Sequence, residues 1–416
     1  MAFTDADKNR VLWLSGILHA FTHAYQIALI PLYILMRDGL RLSGVEEATL
    51  LVTVMATAYY LPSYPMGVLA DRHSRRFLLA VGLAVNGLGF VGLAWAPTYP
   101  WALAAVLLAG LGGSVYHPAA TAWAARMFPV NTGRALGLVA VGASVGFFIT
   151  PIYVGWRAAT TGSWRAPVLE LGLAGMVFAP VFYWLAPADH APPRTARPAS
   201  LGAGGGSLFP TGALWAFFLA AAFCFALRDF GGSGVASLSS LFLQNAHGFS
   251  PKATGVIVGA IFLASALSNP LFGRWSDRGR IGCATGLLLA AVTMLAVFPF
   301  VPKGAMFLVL MTYGFFLLAT YPVVEAAVME AVPDAVRGRV FGVFGTLGGL
   351  LGNLAHWVVG ALVRQLGPAP HEPRPYHYMF WGLGLCILCS LIGLPFLHAI
   401  RRREAVPPAR PQPIAV

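Results

Sequence analysis

Apolar runs long enough to cross a lipid bilayer recur along the whole chain and constrain the fold more than any other feature. A spanning helix needs roughly 20 predominantly apolar residues, and twelve runs of this kind can be read from the sequence. They cover 11–36, 48–70, 77–96, 101–127, 134–156, 166–186, 211–243, 252–274, 282–301, 304–331, 340–364 and 376–398. Because lipid offers no partner to backbone polar groups, uninterrupted apolar runs must be helical there. The sequence therefore predicts an all-α membrane protein with twelve transmembrane helices.

The two halves of the chain repeat each other. The stretch GVLADRHSRR (67–76) returns as GRWSDRGR (273–280), each with a glycine four residues before an Asp-Arg pair. The fourth and tenth apolar runs also match, with Pro118 and Pro322 in equivalent places. A proline inside a membrane helix removes a backbone hydrogen bond and tends to kink the helix. Self-similarity at half the chain length predicts two pseudo-symmetric six-helix bundles.

A proline- and glycine-rich stretch separates the repeats. The sequence PPRTARPASLGAGGGS lies in it, and this composition is typical of a flexible linker. We therefore divide the chain into an N-terminal bundle (1–187), a linker (188–210) and a C-terminal bundle with a short tail (211–416).

The net charge of +12 is better explained by membrane topology than by nucleic acid. Most Lys and Arg residues fall on the side of the linker and of both termini, which places that side in the cytoplasm. The basic turns then face anionic lipid, and no nucleic-acid partner is expected. The sequence predicts a monomer with both termini cytoplasmic in a bacterial-type inner membrane.

The repeated turn resembles the loop between the second and third helices of the major facilitator superfamily, Gly-x-x-x-Asp-Arg-x-Gly-Arg-Arg. The first copy departs from this motif at Ser74, and the second has Gly279 one place early. The residues that match are Gly67, Asp71, Arg72, Arg75 and Arg76, with Gly273, Asp277 and Arg278 in the second copy. The resemblance implies a secondary transporter whose first, fourth, seventh and tenth helices line a central cavity. It also implies that Asp71 faces the N-terminus of a helix in the other half, where a negative charge is favourable.

Two further resemblances concern the direction of transport. The fifth run, VGASVGFFITPIYVG (141–155), resembles the Gly-x-x-x-Gly…Gly-Pro motif of superfamily antiporters, with Thr150 where a glycine is expected. The stretches HAFTHAY (19–25) and GGSVYHPAATAWAARM (112–127) resemble the fosmidomycin-resistance branch of efflux proteins. Both resemblances imply export.

Polar side chains inside the apolar runs are the candidate substrate and proton-coupling residues. A charge at the centre of a membrane helix costs roughly 2.5–3.5 kcal/mol, so it usually lines a cavity or has a partner. The candidates are His19, His23, Gln26, His117, Arg228, Asp229, Ser233, Tyr321, Glu325 and His356. Each histidine has the alternative of a hydrogen-bonded packing residue, and Ser233 that of small-residue helix packing.

The charged candidates suggest a division of roles. Arg228 and Asp229 are neighbours on one helix and point about 100° apart, which predicts that each finds its partner elsewhere. Arg228 stays protonated and can hold an anion, whereas Asp229 and Glu325 can carry protons. His19 and His23 have the spacing of zinc or nickel ligands, but no acidic or cysteine residue shares their face. We expect them to shape the pH response, with no metal or other cofactor bound.

The sequence thus predicts a proton-coupled exporter of a small organic compound, and no enzyme. The alternative is a proton-coupled importer of an organic anion with Arg228 as its clamp. A third class, a membrane sensor that transports nothing, is disfavoured by the intact carboxylates. The chain lacks a Gly-x-x-x-x-Gly-Lys-Ser/Thr loop, so ATP is not expected to drive it.

Overall fold

A computed structural model describes residues 4–129, 132–189, 209, 211–331, 337–367 and 371–404. Within these residues the chain is helical and contains no β-strand. In the N-terminal half the helices are α1 (Asp5–Ile27), α2 (Tyr33–Gly39), α3 (Val45–Tyr60), α4 (Ser63–Arg72), α5 (Arg75–Ala94), α6 (Tyr99–Gly113), α7 (Tyr116–Met127), α8 (Thr132–Thr161) and α9 (Arg165–Leu185). In the C-terminal half they are α10 (Gly212–Leu241), α11 (Pro251–Leu263), α12 (Ser265–Trp275), α13 (Arg280–Val297), α14 (Met306–Ala331), α15 (Arg337–Arg364), α16 (Arg374–Cys389) and α17 (Gly393–Glu404).

Eleven helical stretches in the described part of the chain are long and apolar enough to cross a membrane. They correspond to the predicted runs except the second, 48–70, which is divided between α3 and α4. The division falls at Leu61 and Pro62, where the proline ring cannot donate a backbone hydrogen bond. The all-α membrane fold predicted from the sequence is confirmed.

Within each half, helices distant in sequence pack side by side. In the N-terminal half α1 lies against α8, and α5 lies against α6 and α9; in the C-terminal half α10 lies against α15 and α16, and α13 against α14. Two extensive contacts join the halves, between α8 and α11 and between α3 and α15. The interior between the halves is therefore walled by helices from both repeats.

The glycines of the antiporter-like run allow its helix to approach two others. A Cβ atom at Gly142 would collide with the backbone of Gly16 on α1, and one at Gly155 would collide with the backbone of Pro251 at the start of α11. Such close approach is possible only without a side chain. These glycines thus allow α8 to pack closely against α1 of its own bundle and against α11 of the C-terminal bundle.

The stretch after α9 shows which residues still contact the N-terminal bundle. Helix α9 ends at Leu185, but contacts with the bundle continue to Asp189, whose side chain is fully buried. The remainder of the predicted linker lies outside the described residues apart from Phe209. The C-terminal bundle begins with Thr211, whose hydroxyl caps α10 by accepting a hydrogen bond from the backbone N–H of Leu214.

Candidate functional site

The C-terminal half contains a cluster of charged residues inside the membrane-spanning region, which we call the arginine–acid cluster: Arg228, Asp229, Tyr321 and Glu325. Arg228 is buried, with 1% of its surface exposed, and its guanidinium carbon lies 3.9 Å from the centre of the Tyr321 ring. This is a cation–π contact. The Arg228 guanidinium also donates to the Thr320 hydroxyl at 3.3 Å. Helix α14 therefore supplies two contacts to the cation that α10 carries.

The pairing within this cluster corrects one prediction. Arg228 and Asp229 were expected to find separate partners, yet Nε and Nη2 of Arg228 donate to the same carboxylate oxygen of Asp229 at 2.9 and 2.8 Å. The long arginine side chain curls back along the helix and overcomes the 100° offset of the two Cα–Cβ directions. The two partners differ in exposure: Arg228 is buried, whereas the Asp229 side chain keeps 16% of its surface exposed.

Two glycines of helix α15, Gly348 and Gly352, lie directly against Asp229. A Cβ atom built at Gly348 would lie 2.5 Å from Oδ2 of Asp229, and one at Gly352 would lie 3.0 Å from its Cβ. Glycine at these positions lets α15 approach α10 at the level of the ion pair. The position of the carboxylate therefore depends on the absence of two side chains in a neighbouring helix.

Glu325 is the second carboxylate of the cluster. It is half-buried one turn after Tyr321 on α14, and it lies within electrostatic reach of both Arg228 and Asp229. The cluster contains two carboxylates but only one guanidinium. Its net charge therefore depends on the number of protons or cations bound.

The N-terminal half contains a second polar group, which we call the histidine cluster: His19, His23 and His117. His19 and His23 lie one turn apart on α1, with their Nε2 atoms 3.0 Å apart. The ring of His117 on α7 lies 5.2 Å from that of His19 and 5.8 Å from that of His23, centre to centre. Gln26 continues the face, since its amide oxygen lies 2.8 Å from Nδ1 of His23.

Two tyrosines of α3 lie between the clusters. The Tyr59 ring contacts His117 edge-on, with centres 6.0 Å apart, and also contacts Tyr60 with centres 4.9 Å apart. Tyr60 in turn lies within electrostatic reach of Asp229. Neither tyrosine was among the residues predicted to belong to the site, because a pair of aromatic residues in an apolar run has no distinguishing signal.

His356 forms hydrogen bonds outside both clusters. Its Nδ1 is 2.7 Å from the Ser237 hydroxyl, which lies 2.8 Å from the Tyr33 hydroxyl. This chain of hydrogen bonds crosses from the C-terminal half to the N-terminal half. Ser233, one turn before Ser237 on α10, is half-buried.

Further hydrogen bonds and an ion pair join the two halves at the same end of the molecule as the Tyr33–Ser237–His356 chain. The Thr53 hydroxyl donates to the backbone oxygen of Asn353 at 2.9 Å and accepts from the Trp357 N–H at 3.1 Å. Beyond it, Glu46 and Arg364 form an ion pair. These bonds tie the ends of α2, α3, α10 and α15 together. The bundles are thus closed against each other at the end opposite to the basic turns.

The repeated basic turns lie at the other end. Asp71 and Arg72 are exposed, as are Asp277 and Arg278. Gly67 and Gly273 are half-buried, and the nearest atom to a Cβ built at Gly67 is Cβ of Pro118 at 3.9 Å. The predicted contact of Asp71 with a helix in the other half stays a prediction.

The arginines that follow the turns pair within their own bundles. Arg75 and Arg126 both contact the buried carboxylate of Asp189, at 3.7 and 3.0 Å, and Arg76 donates to the backbone oxygen of Ala186 at 3.0 Å. In the second repeat, Arg280 takes the place of Arg75 and pairs with Glu330 at 2.6 Å and with Asp277 at 3.0 Å. The burial of Asp189 was not predicted, because the residues around it have the composition of a linker.

Two repeated helical bundles around a polar interior that is closed at one end are the architecture of secondary transporters that work by alternating access. The sequence profile of the Major Facilitator Superfamily matches residues 12–356 and 221–415. The chain therefore belongs to the major facilitator superfamily, as the repeated turn predicted, and it is a multi-pass membrane transporter and no enzyme.

Several characterised relatives and structures are similar to this chain. It is 25% identical over 403 residues to the multi-drug resistance efflux pump PmrA of Streptococcus pneumoniae, covering 93% of this chain and 94% of the relative. It is 24% identical over 433 residues to the membrane sensor protein UhpC of Escherichia coli, covering 95% and 92%. The fold is shared with an inward-facing, unoccupied bacterial homologue of the human lysosomal transporter Spinster, at a TM-score of 0.77 and 16% identity over 96% of this chain and 98% of that one.

Proposed function

We propose that the protein is a proton-coupled exporter of a small organic compound that works by alternating access. The observation that carries the proposal is the composition of the arginine–acid cluster, in which two half-buried carboxylates share one buried guanidinium. A carboxylate held between burial, a like charge and a cation can bind a proton in one state of the cycle and release it in another. Glu325, which is not needed to neutralise Arg228, is the proposed proton carrier.

The charge of the substrate determines the direction of coupling. A compound with a cationic or hydrogen-bond-donating group would compete with the proton for Glu325, so that the two ligands exclude each other and move in opposite directions. An anion that displaced Asp229 from Arg228 would instead favour proton binding to Asp229, and the two would move together. Export driven by protons therefore calls for a cationic or donor group on the substrate.

The likeness to a multi-drug efflux pump and the glycines of α8 support export. The alternative, import of an organic anion together with a proton, is supported by Arg228 itself, whose guanidinium suits a carboxylate or phosphate. The likeness to a membrane sensor protein supports the third class, a chain that binds a ligand and transports nothing. Each function leaves a different signature in a sealed vesicle.

Alternating access requires an interior that opens to one side at a time. The bonds of Tyr33, Thr53 and Glu46 join the halves at one end, whereas Asp71 and Asp277 at the other end are exposed. We propose that the structure represents the inward-facing state, since the excess of basic residues assigns the exposed end to the cytoplasm. Opening the closed end then breaks the bonds that join the halves.

The test uses purified protein in proteoliposomes that contain a pH-sensitive dye. A thermal-shift screen of organic cations, neutral amines and organic anions first identifies a ligand. Adding that ligand outside, without an ion gradient, should make the vesicle interior alkaline, because an antiporter releases protons as the substrate enters. Acidification would overturn export in favour of anion import. The absence of both a pH change and substrate counterflow would indicate a sensor.

A pair of variants connects the outcome to the site. Arg228→Ala should lower the affinity for an anion but leave exchange of a cation in place, because a cation does not use the guanidinium. Arg374→Ala, at an exposed position at the start of α16, is the control for loss of a guanidinium, and Glu372→Gln, at an exposed position before α16, is the control for loss of a carboxylate in the Glu325 variant. An equal loss of transport in Arg228→Ala for cations would contradict the proposed division of roles.

A further inference from the structure

We infer that His19, His23 and His117 form a binding site for one divalent transition-metal ion of the kind that prefers imidazole ligands, such as Zn²⁺, Co²⁺ or Ni²⁺. Ligand atoms of the three side chains all lie within 4.8 Å of one another. His19 and His23 are buried, and His117 is the most exposed of the three. The inference concerns the N-terminal half only and is independent of the arginine–acid cluster.

The third ligand comes from a second helix. His19 and His23 are four residues apart and share one face of α1, and considered alone they offer only two ligands. The fold brings His117 to them because Tyr116, the residue before it, stacks on His19 with ring centres 4.8 Å apart. The Tyr116 hydroxyl also donates to the backbone oxygen of Ser15 at 2.8 Å, which fixes α7 against α1. No bound metal was expected from the sequence because His19 and His23 alone offer two ligands, and His117 was not placed beside them.

The spacing suits a tetrahedral ion. Imidazole nitrogens bind Zn²⁺ at about 2.0–2.1 Å, which places two ligand nitrogens about 3.4 Å apart. The Nε2 atoms of His19 and His23 are 3.0 Å apart, so they need to separate by only a few tenths of an ångström. The ligand atoms of all three side chains lie within 4.8 Å, so binding also requires His117 to approach the pair by up to about 1.4 Å. Three protein ligands leave a fourth position open. Water or a donor atom of a substrate can occupy that position.

The hydrogen bonds of the two buried rings leave room for a cation. Nδ1 of His19 lies 3.0 Å from the backbone oxygen of Val139. That oxygen can only accept, so Nδ1 carries the proton and Nε2 presents a lone pair. Nδ1 of His23 faces the amide oxygen of Gln26 at 2.8 Å. With the amide in this orientation Nδ1 donates to it, and Nε2 of His23 also has a lone pair. Two lone pairs 3.0 Å apart repel each other unless a cation lies between them.

The Nδ1 atoms of His19 and His23 have the hydrogen-bond partners that are typical of histidines in a metal site. Metal-bound histidines commonly donate their second N–H to a carbonyl or carboxylate oxygen, which fixes the ring orientation. Val139 and Gln26 supply such acceptors here. A bound proton would also satisfy the His19–His23 pair, but it would leave His117 without a role. The convergence of a third nitrogen therefore favours a metal ion over a proton.

The experiment uses the full-length protein in lipid nanodiscs, purified without a polyhistidine tag and stripped with a chelator. Co²⁺ is the spectroscopic probe, because its visible absorption reports tetrahedral coordination, and Zn²⁺ binding is measured by calorimetry. We expect one ion per chain and competition of Zn²⁺ with bound Co²⁺. His117→Ala should weaken binding at least tenfold and change the Co²⁺ spectrum, and Gln26→Leu, which removes an acceptor behind His23, should weaken it 10- to 100-fold.

His356→Gln is the matched control, since it removes a buried histidine from the C-terminal half and should leave Co²⁺ binding unchanged. Thermal unfolding of each variant shows whether it is folded, and metal should raise the unfolding temperature of the wild type but not that of His117→Ala. Absence of a stoichiometric ion in the wild type would overturn the inference and leave a proton as the only cation of the His19–His23 pair. Equal binding by His117→Ala would overturn it as well.

Discussion

Replacing Gly348 by alanine introduces one methyl group beside the Arg228–Asp229 ion pair. The built Cβ lies 2.5 Å from Oδ2 of Asp229, whereas ordinary contacts begin at 3.4 Å. Oδ2 therefore has to move by about 0.9 Å. Both bonds to Arg228, 2.9 and 2.8 Å long, are made by the other oxygen, Oδ1, and we expect the rotation of the carboxylate that relieves the contact at Oδ2 to take at least one of them beyond hydrogen-bonding distance. A hydrogen bond between charged groups contributes about 1.5–3 kcal/mol, so Gly348→Ala should lose stability of that order.

The matched control is Gly345→Ala, one turn earlier on α15, where a Cβ meets nothing within 4 Å. Both substitutions gain the same helix propensity, about 1 kcal/mol, so the difference between them isolates the ion pair. Unfolding in detergent, followed by temperature or denaturant, measures this difference. A ligand that must separate Arg228 from Asp229 should also bind roughly tenfold more tightly to Gly348→Ala. The weakened ion pair lowers the free energy needed to separate the two residues by about 1.4 kcal/mol, which corresponds to a tenfold change in affinity. Equal stability and equal affinity in the two variants would refute the reasoning.

Three further substitutions test other parts of the molecule. Asp71→Asn should abolish transport in a folded, inserted protein, because it removes a charge expected to stabilise one access state by about 0.3–2 kcal/mol; unimpaired uptake in vesicles would contradict this. Asp189→Asn should destabilise the N-terminal bundle by about 3–5 kcal/mol, since it leaves the buried Arg75 without its anion, as thermal unfolding would show. Tyr33→Phe removes a bond to Ser237 worth about 0.5–1.5 kcal/mol and should favour opening of that end, measured as a shorter mean distance between spin labels on the two basic turns.

The repeat and the helices could be predicted from the sequence because they depend on local composition and on spacing along the chain. The break between α3 and α4 was missed although Pro62 lies there, since a single proline can also kink a helix without ending it. The buried position of Asp189 was missed for a related reason: composition describes a segment on average and does not reveal one side chain that folds back onto the bundle.

The sites were only partly predictable, because they depend on which helices meet. The sequence placed His19 and His23 on one face but could not show that His117 joins them from α7. It assigned separate partners to Arg228 and Asp229, because helix geometry sets the Cβ directions but not the path of a long side chain. The bonds of Thr53 to α15 cross between helices far apart in the chain, and no periodic pattern encodes them.

The proposal that Glu325 carries the coupling proton is tested most directly by comparing two modes of transport in Glu325→Gln. In vesicles with an imposed pH gradient, the wild type should accumulate its substrate against a concentration gradient and Glu325→Gln should not, because the amide cannot bind and release a proton. In counterflow, which needs no proton movement, Glu325→Gln should still exchange the substrate, because the amide oxygen can accept a hydrogen bond. Its affinity for a cationic substrate should be lower than that of the wild type and of Glu372→Gln, because the amide carries no charge. Asp229→Asn, studied in parallel, shows whether the second carboxylate is also required. If both amide variants still concentrate the substrate, neither carboxylate alone couples transport to protons, and the mechanism proposed for the arginine–acid cluster is wrong.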